Sequence, residues 1–204
     1  MAGPYRDFRW DSFNAAQVQR APRGLAVRAV QVLSEQVAPG AVIHVVDIGA
    51  GAGVETRLFL EQGWQVLAFD SAETSRELIT NRAGELASEL HFVQADFADI
   101  SNLPPAGLIY SGFALPFASP TVFKNLWVHL IVTLKPGGLL AINFFGDVDE
   151  WAQADKSFTF FSRSQVDTLL SGFEVLYLLE EEGEKPAFEG TKYWHTFDVI
   201  ARKR

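Results

Sequence analysis

The stretch Val42-Ile43-His44-Val45-Val46-Asp47-Ile48-Gly49-Ala50-Gly51-Ala52-Gly53 decides the architecture of this chain. Residues 41–46 are a continuous apolar, β-branched run, the pattern of a strand buried on both faces of a parallel sheet. The run then breaks into glycines at 49, 51 and 53. A backbone without Cβ atoms turns tightly and lets a ligand approach closely, and the first N–H groups of a following helix would face that ligand. A second strand pattern ends in Phe69-Asp70, 21 residues after Gly49. That is the separation at which a βαβ nucleotide site places a ribose-binding carboxylate. A turn that needs glycine for packing alone would not require the acidic partner.

Strand and helix patterns alternate on both sides of this loop. Leu25, Val27, Ala29, Val30, Val32 and Leu33 recur at helical spacing between Pro22 and the stop at Pro39-Gly40. Beyond the loop the patterns predict helices over 54–62, 72–83, about 120–134 and about 163–171, the last capped by Ser162 or Ser164. Strands are expected at 64–69, 90–94, 107–110 and 139–145, followed by a pair near 173–181 and 192–202. The acidic run 180–184 is expected to mark the solvated turn between that pair. Five βα repeats and a closing hairpin-like pair point to a mostly parallel sheet with an antiparallel strand, in one domain over 1–204.

Composition excludes several functions. Apolar residues make up 48% and charged residues 21%, the balance of an ordinary globular chain. The net charge is -8 and the pI about 5.0, and the basic cluster that stands out is Arg202-Lys203-Arg204. Nucleic-acid binders draw most of their affinity from phosphate neutralisation, so no nucleic-acid partner is expected. Cysteine is absent, which removes disulfides, thiolate-bound zinc and thiolate nucleophiles. His44, His91, His129 and His195 lie far apart in sequence, so no metal site is expected. The first ten residues lack the apolar segment of a signal peptide, and no run approaches the ~20 apolar residues that span a bilayer. The expectation is a cytoplasmic protein with a small-molecule substrate and no membrane partner, its oligomeric state left open.

The order acid-x-Gly-x-Gly-x-Gly distinguishes between nucleotide ligands. A dinucleotide site favours G-x-G-x-x-G, with a pyrophosphate on the helix N-terminus. Here Asp47 stands just before the glycines, where it would repel a pyrophosphate and tolerate the cationic methionine end of S-adenosylmethionine. In these residues the chain resembles the class I S-adenosylmethionine-dependent methyltransferases, over about 41–145. The resemblance implies a Rossmann-like, seven-stranded, mostly parallel sheet with an antiparallel last strand and helices on both faces. It also implies a cofactor-binding core over 41–145, an N-terminal segment and helix (1–40) covering the cofactor, and acceptor-side elements over 146–204.

The resemblance further assigns Asp47, Gly49, Ala50, Gly51, Gly53, Asp70, Ser71, Asp96, Phe97 and Ser111 to cofactor binding. Asp70 would take the ribose hydroxyls and Asp96 the adenine amino group. Asp96 also reads as a turn or N-cap aspartate, and Phe97 either flanks the adenine or belongs to the core. Lys135-Pro136-Gly137-Gly138 is similar to the turn before strand five, a structural element. Ala114-Leu115-Pro116-Phe117 and the aromatic-rich final third resemble small bacterial methyltransferases of the tellurite-resistance type, which act on small molecules.

Methyl transfer requires alignment of the acceptor and exclusion of water, with a base only where the acceptor holds a proton. The element after strand four, Tyr110-Ser111-Gly112-Phe113, lacks the Pro-Pro of enzymes that methylate adenine or glutamine amino groups. That branch is not expected, and the resemblance implies an oxygen, nitrogen or chalcogen nucleophile of a small molecule as the acceptor. His195 is the candidate base, or else a histidine bonded at a strand end. Alternation puts it with Phe197 and Val199 on one face, and Trp194, Thr196 and Asp198 on the other. Tyr5, Arg20, Phe113, Asp147, Trp151 and Trp194 are the candidate acceptor-side residues. Asp147 and Asp149 either face a cationic acceptor or lie in a solvated loop, and Arg20 and Arg23 would clasp the methionine carboxylate or an anionic acceptor. Tyr5, Phe8 and Trp10 form a lid or an N-terminal cap. The alternative function is a cofactor-binding protein of the same fold that transfers no methyl group: a sensor, a partner subunit or a rearrangement catalyst.

Overall fold

The computed structural model describes residues 10–38, 40–154, 156–188 and 190–204. Two helices, α1 (Trp10–Ala16) and α2 (Gly24–Ser34), precede the sheet. The alternating part runs β1 (His44–Ile48), α3 (Val54–Leu60), β2 (Gln65–Asp70), α4 (Ser75–Ala83), β3 (Leu90–Gln94), β4 (Ala106–Ser111), α5 (Pro120–Thr133) and β5 (Leu134–Gly146). It is followed by α6 (Glu150–Ala154), β6 (Phe160–Phe161), α7 (Arg163–Leu169), β7 (Phe173–Pro186) and β8 (Thr191–Lys203).

The sheet order is β3-β2-β1-β4-β5-β8-β7, with the two-residue β6 beside the end of β5. Strands β1 to β5 pair in parallel, and β8 runs antiparallel to both β5 and β7. The path is the expected Rossmann-like seven-stranded sheet, and β6 adds an eighth, short strand. Helices cover both faces. One core packs Val46, Ile109, Ile142 and Phe197 against Phe123, Leu126 and Leu130 of α5 and Val166 of α7. The other packs Val45, Leu108, Ala141 and Ile200 against Leu25 and Ala29 of α2, Phe59 of α3 and Ile79 of α4. The alternation of these residues along β1, β4, β5 and β8 is the period-2 rule applied to a sheet buried on both sides.

Three expectations about elements change. The acidic run 180–184 is not a turn. It lies within β7, with Glu180 opposite Phe197 and Glu184 opposite Tyr193, and the reversal falls after Pro186. Outer positions of an edge strand face water, so they accept carboxylates as readily as a turn does. Strand β1 begins only at His44, because residues 41–43 precede the sheet and Val42 is 57% exposed. Lys135-Pro136-Gly137-Gly138 lies inside β5 as an irregularity, where the register against β4 jumps from Ala106↔Leu134 to Leu108↔Leu139. Ser162 is the N-cap of α7, and with Gln165 it forms a reciprocal capping box.

Candidate functional site: two cavities that share a wall

The ends of β1, β2 and β4 meet the glycine loop at a cavity of about 360 Å³, within the range of small-molecule sites. Gly49, at φ +74°, bends the chain back so that its N–H and that of Ala50 both donate to Phe69 O at 2.9 Å. A Cβ on Gly49 would stand 2.1 Å from that of Ala114. Gly49→Ala should therefore cost about 3 kcal/mol, from strain at positive φ plus overpacking. Denaturant unfolding checks this, and a wild-type midpoint would show that the loop tolerates a side chain.

Asp70 organises the floor. Its Oδ2 accepts from Gly51 N at 2.8 Å, and its Oδ1 from Ala72 N at 3.0 Å and Ser75 Oγ at 2.8 Å. Asn14 of α1 donates to Ser75 Oγ at 2.9 Å and reaches Asp70 Oδ1 at 3.5 Å. Helix α1 is thus fastened across the cavity, and its Trp10 and Phe13 line it. Asp96 also lines the cavity. It precedes a single 3₁₀ turn, and its side chain makes no capping bond.

Arg20 forms a two-pronged ion pair with Glu55, which also accepts from Arg23 N at 2.9 Å. Burial alone would raise the Glu55 carboxyl, but Arg20 and that amide hold it below its ordinary value. The Arg23 side chain has no carboxylate partner among the described residues. Its Nε is buried without a hydrogen bond, as is the Tyr110 hydroxyl, and both residues line the cavity. Burial, then the neighbouring Arg20, lowers the Arg23 pKa. Arg20 Nε is likewise without a partner, and orphaned donors on residues of one cavity suit an incoming carboxylate.

Asp47 lies beneath the loop rather than on the cavity wall. It accepts from Thr56 Oγ1 at 2.7 Å, and burial pushes its carboxyl up to about 7 against the opposing Thr56 bond. The folded protein holds this proton to a higher pH than the unfolded chain does. The associated stability is complete below about pH 4 and is lost as pH rises through 7, on the order of 4 kcal/mol. Asp47→Asn should flatten that decline, as read from urea unfolding between pH 4.5 and 8. A variant with the wild-type slope would remove Asp47 as its source.

A second cavity of about 950 Å³ opens beyond Phe113 and Phe117. Both cavities are lined by Trp10, Phe13, Gln17, Arg23, Phe113 and Phe117. Its walls include Phe145, Trp151 and Trp194, with Trp151 and Trp194 ring centroids 5.4 Å apart. Lys192, almost fully buried, sits 3.9 Å from the Trp151 ring and 4.0 Å from that of Trp194, and it pairs with the buried Asp149. Arg23 lies 4.9 Å over the Phe113 ring.

Of the expected cofactor residues, Gly49, Ala50, Gly51, Asp70, Ser71, Asp96 and Phe97 line the smaller cavity. Gly53 lies behind the loop against Ile79, and the buried Ser111 accepts from Leu115 N at 3.2 Å. On the acceptor side, Phe113, Trp151 and Trp194 come together, while Arg20 is held by Glu55. Asp147 is exposed on the opposite side of the sheet, where it belongs to a groove between α5 and α7. Tyr5 and Phe8 lie outside the described residues.

His195 lines neither of these cavities. It is 3% exposed and packs on Gly146, where an added Cβ would stand 1.9 Å from Nδ1. Val148 N donates to Nδ1 at 3.3 Å, which places the ring proton on Nε2, 3.2 Å from Glu180 Oε1. His195, Glu180 and Glu182 form a group of potential metal ligands, but this tautomer leaves no lone pair at Nε2 for an ion. Sequence reasoning missed Asn14, Glu55, Asn143, Lys192 and Asp198. For Asp198 a signal existed in its alternation with Trp194 and Thr196.

The strand order and glycine loop define a class I methyltransferase fold. Residues 45–138 match the family model described as a methyltransferase domain. Trans-aconitate 2-methyltransferase of Klebsiella pneumoniae (strain 342) is 29% identical over 121 residues, 59% of this chain and 45% of that protein. Its counterpart from Acidovorax sp. (strain JS42) is 31% identical over 124 residues, 60% of this chain and 45% of that protein. The match thus spans less than half the length of these relatives. TehB from Haemophilus influenzae superposes with a TM-score of 0.75 at 18% identity, covering 96% of this chain and 67% of that one. The Burkholderia thailandensis 1,6-didemethyltoxoflavin-N1-methyltransferase, solved with its substrate and S-adenosylhomocysteine, gives 0.65 at 20% identity, covering 100% and 91%. At these identities the likeness to the two structures is one of fold.

Proposed function

We propose that this chain transfers the methyl group of S-adenosylmethionine to a small-molecule acceptor held in the larger cavity. The observation that carries the proposal is the common wall. A cavity built on the glycine loop, Asp70 and Asp96 meets an aromatic-walled one at Phe113, Phe117 and Arg23. The cofactor supplies an electrophilic methyl group on a sulfonium. Asp70 would receive the ribose hydroxyls and Asp96 the adenine amino group, beside Phe97. The orphaned Tyr110 hydroxyl and Arg23 would receive the methionine carboxylate, and Arg20 would keep Glu55 from competing for Arg23. Trp10 and Phe13 on α1 would exclude water from the junction, which in-line displacement requires.

Trans-aconitate, the compound for which the curated relatives are named, belongs among the acceptors to be tried. The test begins with thermal unfolding in the presence of S-adenosylmethionine, S-adenosylhomocysteine or NAD. A ligand at 100 times its Kd should add roughly 2.7 kcal/mol and raise the midpoint by several degrees. Stabilisation by the two sulfur nucleosides and not by NAD is expected. Formation of S-adenosylhomocysteine with an added acceptor then separates transfer from binding alone, and stabilisation by NAD only would overturn the proposal.

A further inference from the structure

The larger cavity contains a carboxylate with no role so far. Asp198 of β8 stands opposite Asn143 of β5 in the ladder, half-buried on the face that looks into the cavity. Its Oδ1 accepts from Asn143 Nδ2, and among the described residues no other hydrogen bond or ion pair reaches it. The Asn143 carboxamide has only one orientation that fits, because its Oδ1 accepts from Phe113 N at 3.1 Å. Phe113 itself is held at φ +53°, a conformation that L residues rarely adopt. Such strain persists where surrounding bonds enforce it, often at working sites. Asp198, Asn143 and Phe113 therefore form one fixed unit at the wall between the two cavities.

The charges around Asp198 leave it free to act. Arg23 approaches from the start of α2, and Glu181 and Lys185 from β7. Arg23 lies on the Phe113 ring, and Lys185 pairs with Glu181 at 3.2 Å. Burial, against a smaller opposing effect of Asn143, lifts the Asp198 carboxyl above its ordinary value. Aromatic rings form part of the remaining wall, beside charged residues that include Arg28, Glu150 and Lys192. Phe113 and Phe145 ring centroids lie 6.2 Å and 6.0 Å from Trp194. Walls of this kind recognise a planar ring by stacking and edge contacts.

We propose that Asp198 is the proton acceptor of this site, and that the methyl acceptor is a planar aromatic or heteroaromatic molecule whose nucleophile carries a proton, a phenolic hydroxyl or ring N–H. The inference rests on the methyltransferase reading and adds the acceptor chemistry. As the oxygen or nitrogen lone pair forms its bond to the methyl carbon, the carbon–sulfur bond breaks and its electron pair stays on sulfur as the neutral thioether. The acceptor's proton passes to the Asp198 carboxylate and then to water. A base is needed because methylation of a protonated heteroatom otherwise leaves a cation on the product.

4-Nitrophenol tests this without knowledge of the natural acceptor, because its phenolate absorbs visible light. The whole chain is first saturated with S-adenosylhomocysteine, then titrated with 4-nitrophenol, 4-nitroanisole or trans-aconitate while tryptophan quenching is read. The phenol should bind about tenfold more tightly than the anisole, since only the phenol donates to a carboxylate. Bound beside Asp198, it should also ionise about one pH unit higher than in water, because two anions repel. In Asp198→Asn both differences should vanish while the affinity for S-adenosylhomocysteine stays within about twofold. Equal binding of phenol and anisole, no binding of either at millimolar concentration, preference for trans-aconitate, or a shift that survives in Asp198→Asn would each overturn the inference. Failure of S-adenosylhomocysteine to bind in the first step would instead overturn the methyltransferase reading.

Discussion

Asp70→Ala should bind S-adenosylhomocysteine about a thousandfold more weakly than the wild type. In the proposed reading, two charge-assisted hydrogen bonds to ribose hydroxyls would contribute roughly 4 kcal/mol together. The carboxylate also joins three parts of the chain, through the Gly51 amide, the Ala72 amide with the Ser75 hydroxyl, and Asn14 of α1. Its removal leaves the Gly51 and Ala72 N–H groups without this acceptor, so the ligand-free protein should lose stability as well. Calorimetric titration gives the affinity, and unfolding without ligand gives the second effect. Asp70→Asn keeps the shape and should fall between the two, because its amide nitrogen faces donors. A Kd within tenfold of wild type in Asp70→Ala would mean that the ribose is held elsewhere.

Asp149→Ala should be the most damaging change away from the cofactor. Asp149 is fully buried, pairs with Lys192, and accepts from Trp151 N and from His195 N, each at 3.0 Å. Without it the Lys192 ammonium remains buried between the faces of Trp151 and Trp194, and it loses its paired carboxylate, leaving the more weakly coupled Glu150. Breaking a buried pair on one side costs about 3–5 kcal/mol, a fall in melting temperature of roughly 10 °C for a chain of this size. The double variant Asp149→Leu with Lys192→Met should regain much of that loss, since an apolar pair needs no charge balance. If the single variant melted with the wild type, the ammonium would have found water or another anion. Cofactor affinity should change little, because neither residue lines the smaller cavity.

The smaller cavity was legible because its signals are local. A buried strand, three glycines and an acid one βα unit later are read from 42–70 without knowing how distant elements pack. The larger cavity depends on tertiary facts. Alternation separates His195 from Asp198, but which face meets the cavity is decided by where α1 and α2 lie. Helix α1 has only seven residues and a weak pattern, so Asn14 gave no notice of its bond to Ser75. The run 180–184 looks like a turn because charge shows exposure and not backbone shape. Asp149 likewise sits in an acidic segment that reads as solvated, and only the fold brings Lys192 to it from 43 residues away.

The interleaving of the last strands bears on the order of assembly. β7 precedes β8 in the chain, yet β8 is the strand that touches β5, and β7 joins the sheet only through β8. During vectorial synthesis the free edge of β5 therefore stays open while all of β7 emerges. That edge includes Leu139, Ala141 and Phe144, whose partners Arg202, Ile200 and Phe197 are made after β7. An open, apolar strand edge is a template for pairing with other chains. Until β8 arrives, the nascent protein is at its most vulnerable to aggregation, and the larger cavity cannot exist before the sheet is sealed.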